Sequence, residues 1–149
     1  MTEPVDNPES WVAEHIRRYA ESDGADGHDY LGWPTLLLTT RGRRSGRLRR
    51  TALIYGRDEG RFVIVASNGG KPQDPAWYRN LLADPAVSIQ VGPDRYDATA
   101  AIAPRDERPH LWALMAAIFP QYDAYARAAP REIPVVLLRP GGSYVSLPT

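Results

Sequence analysis

The sequence predicts an α+β domain: a small antiparallel β-barrel of about six strands with flanking helices. Three observations predict it. Apolar runs of strand length recur along the chain and are joined by short turns, which makes adjacent antiparallel pairs. Helical patterns segregate from those runs, and a twisted open sheet with helices at its ends tends to close into a barrel. The chain has 149 residues, the size of one ordinary domain with a working core.

The elements follow in order. Met1 to Glu9 is acidic and carries proline, so it reads as a flexible lead, and residues 10–149 read as a single domain. Ser10 is a plausible N-cap, and Trp11, Val12, His15, Ile16 and Tyr19 recur at helical spacing with Glu14, Arg17 and Arg18 opposite. This helix ends before Ser22-Asp23-Gly24, and the stretch to Asp29 reads as loop. Thr35 to Thr40, Arg49 to Tyr55 and Phe62 to Ala66 read as strands, with a turn over Arg57 to Gly60. A helix over Pro75 to Ala83 follows, with Asp74 as its N-cap and proline in its first turn. Val87 to Val91 and Tyr96 to Ala103 flank Gly92-Pro93-Asp94, a hairpin turn. A helix from about Arg105 to Phe119 is broken by Pro120, and a shorter one runs from Tyr122 to Ala129. Val135 to Leu138 is the last core strand, and Tyr144 to Leu147 reads as an edge. The order is helix, three strands, helix, two strands, helices, strand.

Composition excludes several classes of function. Hydrophobic residues make up 43% of the chain, as in a globular protein. There is no apolar run long enough to span a membrane as a helix, and the first residues lack the basic and apolar regions of a secretory signal. With no Cys, disulfides, thiolate metal sites and a Cys nucleophile are excluded. The expected compartment is the cytoplasm. Net charge is +0, which argues against bulk nucleic-acid binding. The distribution of charge is more informative than its sum: 17 of the 18 basic residues are Arg, and six of them lie between Arg41 and Arg50.

Three segments have the residues for chemistry. Arg41-Gly42-Arg43-Arg44-Ser45-Gly46-Arg47-Leu48-Arg49 sits between two strands, where its glycines let the backbone turn and present N–H groups. Guanidinium forks and the Ser45 hydroxyl add charge-assisted donors suited to a phosphate or polycarboxylate. A solvated basic turn is the plain alternative. Ala66-Ser67-Asn68-Gly69-Gly70-Lys71 leaves the most apolar strand with small residues that allow a flat ligand close to the backbone, or it is an ordinary strand-exit loop. It precedes Trp77 and Asn80, which share a helical face, though an aromatic at this spacing is more often core than a ligand contact. In Phe119-Pro120-Gln121-Tyr122-Asp123-Ala124-Tyr125, the two tyrosines share a face, and their phenols can cap an apolar pocket and donate to a carbonyl, or simply lie half-buried. His15, His28 and His110 are scattered without metal-ligand spacing, so no metal site is expected. No nucleophile elbow and no dinucleotide fingerprint is present. Trp33 and Trp112 read as core.

In these segments the sequence resembles the deazaflavin-dependent nitroreductase family, the split-barrel quinone and nitro reductases of actinobacteria. The matching stretches are LLLTTRGRRSGRLRRTALIY, VIVASNGGKPQDPAWYRNLLADPAVSIQVG and FPQYDAYARAAPREIPVVLL, which together cover most of Thr35 to Leu138. The resemblance implies coenzyme F420, an 8-hydroxy-5-deazaflavin with a phospholactyl-oligoglutamate tail. It implies that Arg43, Arg44, Ser45 and Arg49 hold the phosphate and tail. Ile54, Val65, Ala66, Ser67 and Asn68 would line the ring, and Ala76, Trp77 and Asn80 would close its other side. Tyr122, with Tyr125 and Ser67, would act on the substrate. At the second basic position of the hairpin the family often has Lys; here it is Arg44, which keeps the charge and changes the geometry.

The activity so implied is an F420H2-dependent oxidoreductase passing a hydride to a quinone or nitroaromatic acceptor, a flat, apolar, conjugated molecule. Two other readings of the same residues are a carrier of F420 or of another flavin or haem-like ligand without turnover, and an FMN-dependent split-barrel oxidase. Nucleic-acid binding by the Arg run is disfavoured by the neutral total charge and the lack of interleaved aromatics. The N-terminal helix packs on the barrel or over the pocket, with peripheral membrane contact as a further expectation. The assembly is expected to be a monomer or homodimer.

Overall fold

The computed structural model describes residues 5–6, 10–25, 29–30 and 33–145. Among them are helices α1 (Ser10–Glu21), α2 (Ala76–Ala83), α3 (Arg108–Ile118) and α4 (Gln121–Ala128). Six longer strands are β3 (Trp33–Arg41), β4 (Leu48–Ile54), β6 (Arg61–Val65), β7 (Ala86–Val91), β8 (Asp94–Ile102) and β9 (Val135–Val145). Three short ones are β1 (Val5–Asp6), β2 (Asp29–Tyr30) and β5 (Gly56–Asp58).

The sheet order is β1-β4-β3-β7-β8-β9-β6-β5, with β2 paired to β3. Every pairing is antiparallel except β1 with β4, where Val5 faces Arg49 and Asp6 faces Arg50. The sheet curls until β6 lies beside β4, yet these two strands are not ladder partners. The architecture is thus an α+β split barrel whose six long strands are those read from the sequence.

Alternation along the strands explains why their apolar runs are continuous. Leu36, Leu38, Ile64, Val136 and Leu138 point into the barrel with Phe62, Val87 and Ile89. Their neighbours Val63, Val65, Val135 and Leu137 point outward, where Leu111 and Met115 of α3 and Tyr122 of α4 cover them. Leu37 points outward against Ile16 and Tyr19 of α1. A strand buried on both faces has no polar alternation to show.

Helix α1 packs on the outside of β3 and β4. Its anchor is Tyr19, fully buried, whose hydroxyl accepts from Gly92 N–H at 2.6 Å and donates to the Gln90 carbonyl at 3.1 Å. Burial raises the pKa of this phenol well above its ordinary value. No helix among the described residues is long and apolar enough to cross a membrane.

Several local readings change. The turn before β6 is only Glu59-Gly60, both left-handed (φ 50° and 78°), so Arg57 and Asp58 belong to the hairpin strand β5. Asp74 does not cap α2; Pro75 occupies that position without a side-chain cap, and the Asp74 carboxylate accepts from Arg131 at 2.7 Å. The segment read as an edge after residue 143 is, up to Val145, the end of one long strand, which bulges opposite Tyr96 and Ala98.

Gly24 follows α1 with φ 86°, and a Cβ built there lies 2.2 Å from Gly92 Cα. Gly24→Ala therefore combines a left-handed alanine with a backbone collision. It is expected to cost about 2–4 kcal/mol and to lower Tm by roughly 5–15 °C, as read by thermal unfolding.

Candidate active site

The β3–β4 hairpin closes over a tight turn. Gly42 N–H donates to the Arg47 carbonyl at 2.7 Å, Gly46 N–H to the Gly42 carbonyl at 2.8 Å, and Arg47 N–H to the Ser45 hydroxyl at 3.2 Å. Three internal bonds over so few residues leave the arginine side chains to project from a common base. Arg41 is drawn aside, donating to the Gly46 carbonyl at 2.8 Å and lying 3.7 Å from Asp84. The guanidinium groups of Arg44, Arg47 and Arg49 have no carboxylate partner among the described residues.

Arg43 is held by Asn80 of α2. The Asn80 amide oxygen accepts from both Arg43 N–H (3.2 Å) and its guanidinium (3.1 Å), and the amide nitrogen donates to the Thr40 hydroxyl at 3.2 Å. Asn80 is 4% exposed and its bond to Thr40 is buried, so that bond carries more weight than a surface one, while Arg43 itself reaches solvent.

Hairpin and α2 enclose a cleft of about 390 Å³, within the range of small-molecule sites. It brings together eight residues singled out from the sequence: Arg43, Arg44, Ser45, Arg49, Asn68, Ala76, Trp77 and Asn80. It also recruits Arg50, Thr51 and Asp74, which sequence reasoning did not select. Arg50 belongs to the same cationic run and Thr51 follows it on the strand, so the charge pattern points to both; the sequence around Asp74 points only to a helix cap.

The other candidates lie outside this lining. Ala66 is fully buried with the barrel interior, and its N–H donates to the Pro134 carbonyl. Val65 and Ile54 face the layer formed with α3 and α4. Tyr122 and Tyr125 form an aromatic patch with Phe119, at centroid distances of 4.9, 6.1 and 6.4 Å. Trp33 stands edge-on to Phe119 at 4.8 Å. Burial of Tyr122 raises its phenol pKa well above the ordinary value, with Tyr125 adding a smaller push in the same direction, so the hydroxyl stays a hydrogen-bond donor.

The loop after β6 joins the two regions. Asn68 lines the cleft, while Gly70 lies against the backbone of Tyr125. Arg131, which no sequence motif marked, donates to four oxygens of this loop: the carbonyls of Ala66, Ser67 and Lys71 and the carboxylate of Asp74.

The fold is thus an α+β split barrel with a cationic cleft on its rim, close to an apolar, aromatic patch. The chain belongs to the family of F420H(2)-dependent quinone reductases, which it matches over residues 11–140. It is 41% identical over 128 residues to an F420H(2)-dependent quinone reductase of Mycobacterium tuberculosis, covering 83% of this chain and 86% of that one. A solved F420-H2 dependent reductase superposes with a TM-score of 0.66 at 38% identity, covering 71% of this chain and 94% of the other. A structure described as a domain-swapped dimer gives a TM-score of 0.69 at 36% identity, with coverage of 89% and 100%.

The unpaired guanidinium groups generate a direct expectation. Arg44→Ala and Arg49→Ala should each weaken F420 binding about 10- to 100-fold, the loss of one charge-assisted contact. Fluorescence titration should show this, and the wild-type affinity should fall as salt rises.

Proposed function

We propose that this chain, an F420-dependent oxidoreductase by family, grips the phosphate and carboxylate tail of reduced F420 through Arg43, Arg44, Ser45 and Arg49, and so reduces a quinone or nitroaromatic acceptor. The observation that carries the reading is that Arg44 and Arg49 face the cleft without a carboxylate partner among the described residues. Crowded guanidinium groups repel one another until an anion sits among them. The donor set therefore suits the tail: forks for phosphate and carboxylate oxygens, with a hydroxyl beside them.

When bound, the reduced deazaflavin supplies the hydride, two electrons carried with one hydrogen. The chain's residues do the rest. Ile54, Ser67 and Asn68 belong to one side of the ring, with the buried Val65 and Ala66 supporting them from behind, and Ala76, Trp77 and Asn80 to the other. Asn80 acts mainly through Arg43, which it holds in place. The Tyr122 hydroxyl, kept protonated by burial, donates to the acceptor oxygen that gains charge, and Tyr125 and Ser67 help to orient that acceptor. The aromatic patch around Phe119 offers a flat, conjugated molecule a dry surface.

The test is anaerobic oxidation of F420H2 followed optically with a panel of quinones. Quinone-dependent oxidation is expected, with Tyr122→Phe lowering kcat about 10-fold or more while F420 affinity stays within twofold. Binding without acceptor-dependent oxidation would make the chain a carrier, and displacement of F420 by FMN would make it an FMN protein.

The assembly in this reading is a homodimer, supported by the domain-swapped relative. Sedimentation should give twice the chain mass of 16.6 kDa. In this reading the protein works in the cytoplasm. Membrane contact by α1 would have to use groups other than Ile16 and Tyr19, which are buried against the barrel.

A further inference from the structure

We propose that Arg131 is a positioning residue that shapes the cofactor cleft by clamping the loop 66–74 from behind. The inference rests on the cleft being the F420 site. Its starting point is the loop's backbone. Asn68, Gly69 and Gly70 are three consecutive left-handed residues, with φ of 48°, 64° and 81°. Glycine accepts that conformation freely, but Asn68 does so under strain. A loop of this kind keeps its shape only when its surroundings over-determine it.

Local bonds close the turn itself, from Gly70 N–H to the Ser67 carbonyl at 2.9 Å and from the Asn68 amide to the Gln73 carbonyl at 3.0 Å; one guanidinium ties its two ends together. Arg131 Nε donates to the Lys71 carbonyl at 3.1 Å, Nη1 to the Asp74 carboxylate at 2.7 Å, and Nη2 to the Ser67 and Ala66 carbonyls at 3.0 and 3.3 Å. All three nitrogens are engaged, and the side chain is 15% exposed. The four acceptors span the loop from the end of β6 to the residue before Pro75 at the head of α2. One planar fork therefore sets the spacing between the strand that leaves the barrel and the helix that carries Ala76, Trp77 and Asn80.

The clamp has a fixed base. Two residues beyond Arg131, Ile133 is buried in the outer core layer, and its carbonyl accepts from Arg108 at 2.7 Å. Pro134 accepts from Ala66 N–H at 3.0 Å. Arg131 lines no part of the cleft itself; it acts through Asn68, Asp74 and the start of α2, which do. Lysine cannot replace it. A single ammonium carries charge and three donors but lacks the planar spread needed to reach Lys71, Asp74, Ser67 and Ala66 together.

The experiment compares wild type with Arg131→Lys and Arg131→Ala. Hydrogen–deuterium exchange on the cofactor-free proteins is expected to show amides of residues 67–76 exchanging at least 10-fold faster in both variants, with β3, β7 and β9 unchanged. Steady-state kinetics should then show KM for F420H2 raised about 10-fold and kcat within about twofold. Full rescue by lysine would overturn the proposal, because charge alone would then suffice. So would unchanged exchange in 67–76, or exchange raised equally across the sheet, which would mark a purely structural role. If wild type itself fails to bind F420, the functional reading falls, whereas the exchange comparison still decides whether Arg131 holds the loop.

Discussion

The buried amide of Asn80 joins the two halves of the cleft. Its oxygen takes two hydrogen bonds from Arg43, one from main chain and one from side chain, and its nitrogen reaches Thr40 at the end of β3. Helix α2 and the β3–β4 hairpin are far apart in sequence, and apart from the exposed Arg41–Asp84 pair at 3.7 Å this amide is their polar link among the described residues. A buried amide with its donors and acceptors engaged fixes one arrangement, since any slip leaves a polar group unpaired in a low-dielectric setting. The cleft's shape, and the direction in which Arg43 points, follow from that constraint.

Charge is distributed around the same constraint. The chain is neutral overall, and away from the cleft several arginines meet carboxylates. Arg61 lies between Asp58 and Glu107 at 2.7 and 2.8 Å, Arg95 meets Asp23, and Arg17 and Arg18 meet Glu14. The exposed pairs among them, such as those of Glu14, contribute little stability individually. What sets Arg44, Arg47 and Arg49 apart is their clustering on one turn, with no carboxylate partner among the described residues. A neutral protein with a locally unneutralised cationic rim attracts a compact anion and not a polyanion at large.

Most of the fold was legible because its signals are local. The turn at Gly92-Pro93, the helical spacing of His15, Ile16 and Tyr19, and the break at Pro120 each depend on residues a few positions apart. The short pairings were not legible. Val5–Asp6 and Gly56–Asp58 are strands only because β4 and β6 offer them open edges. Asp74 looked like a helix cap because aspartate before proline is a common helix start, and Arg131, 57 residues away, competes for its carboxylate.

Sequence by itself determined the class of the domain, the alternation that builds its core, and the cationic hairpin, since apolar period, turn chemistry and charge density are all written along the chain. Tertiary structure decided which arginines face the cleft and which are tied up, that Tyr122 sits buried in an aromatic layer, and that Arg131 braces the loop behind the site. Those outcomes depend on which groups approach one another in space once the sheet has curled, and electrostatic and hydrogen-bond partners are selected by distance in the folded protein, not by separation along the chain.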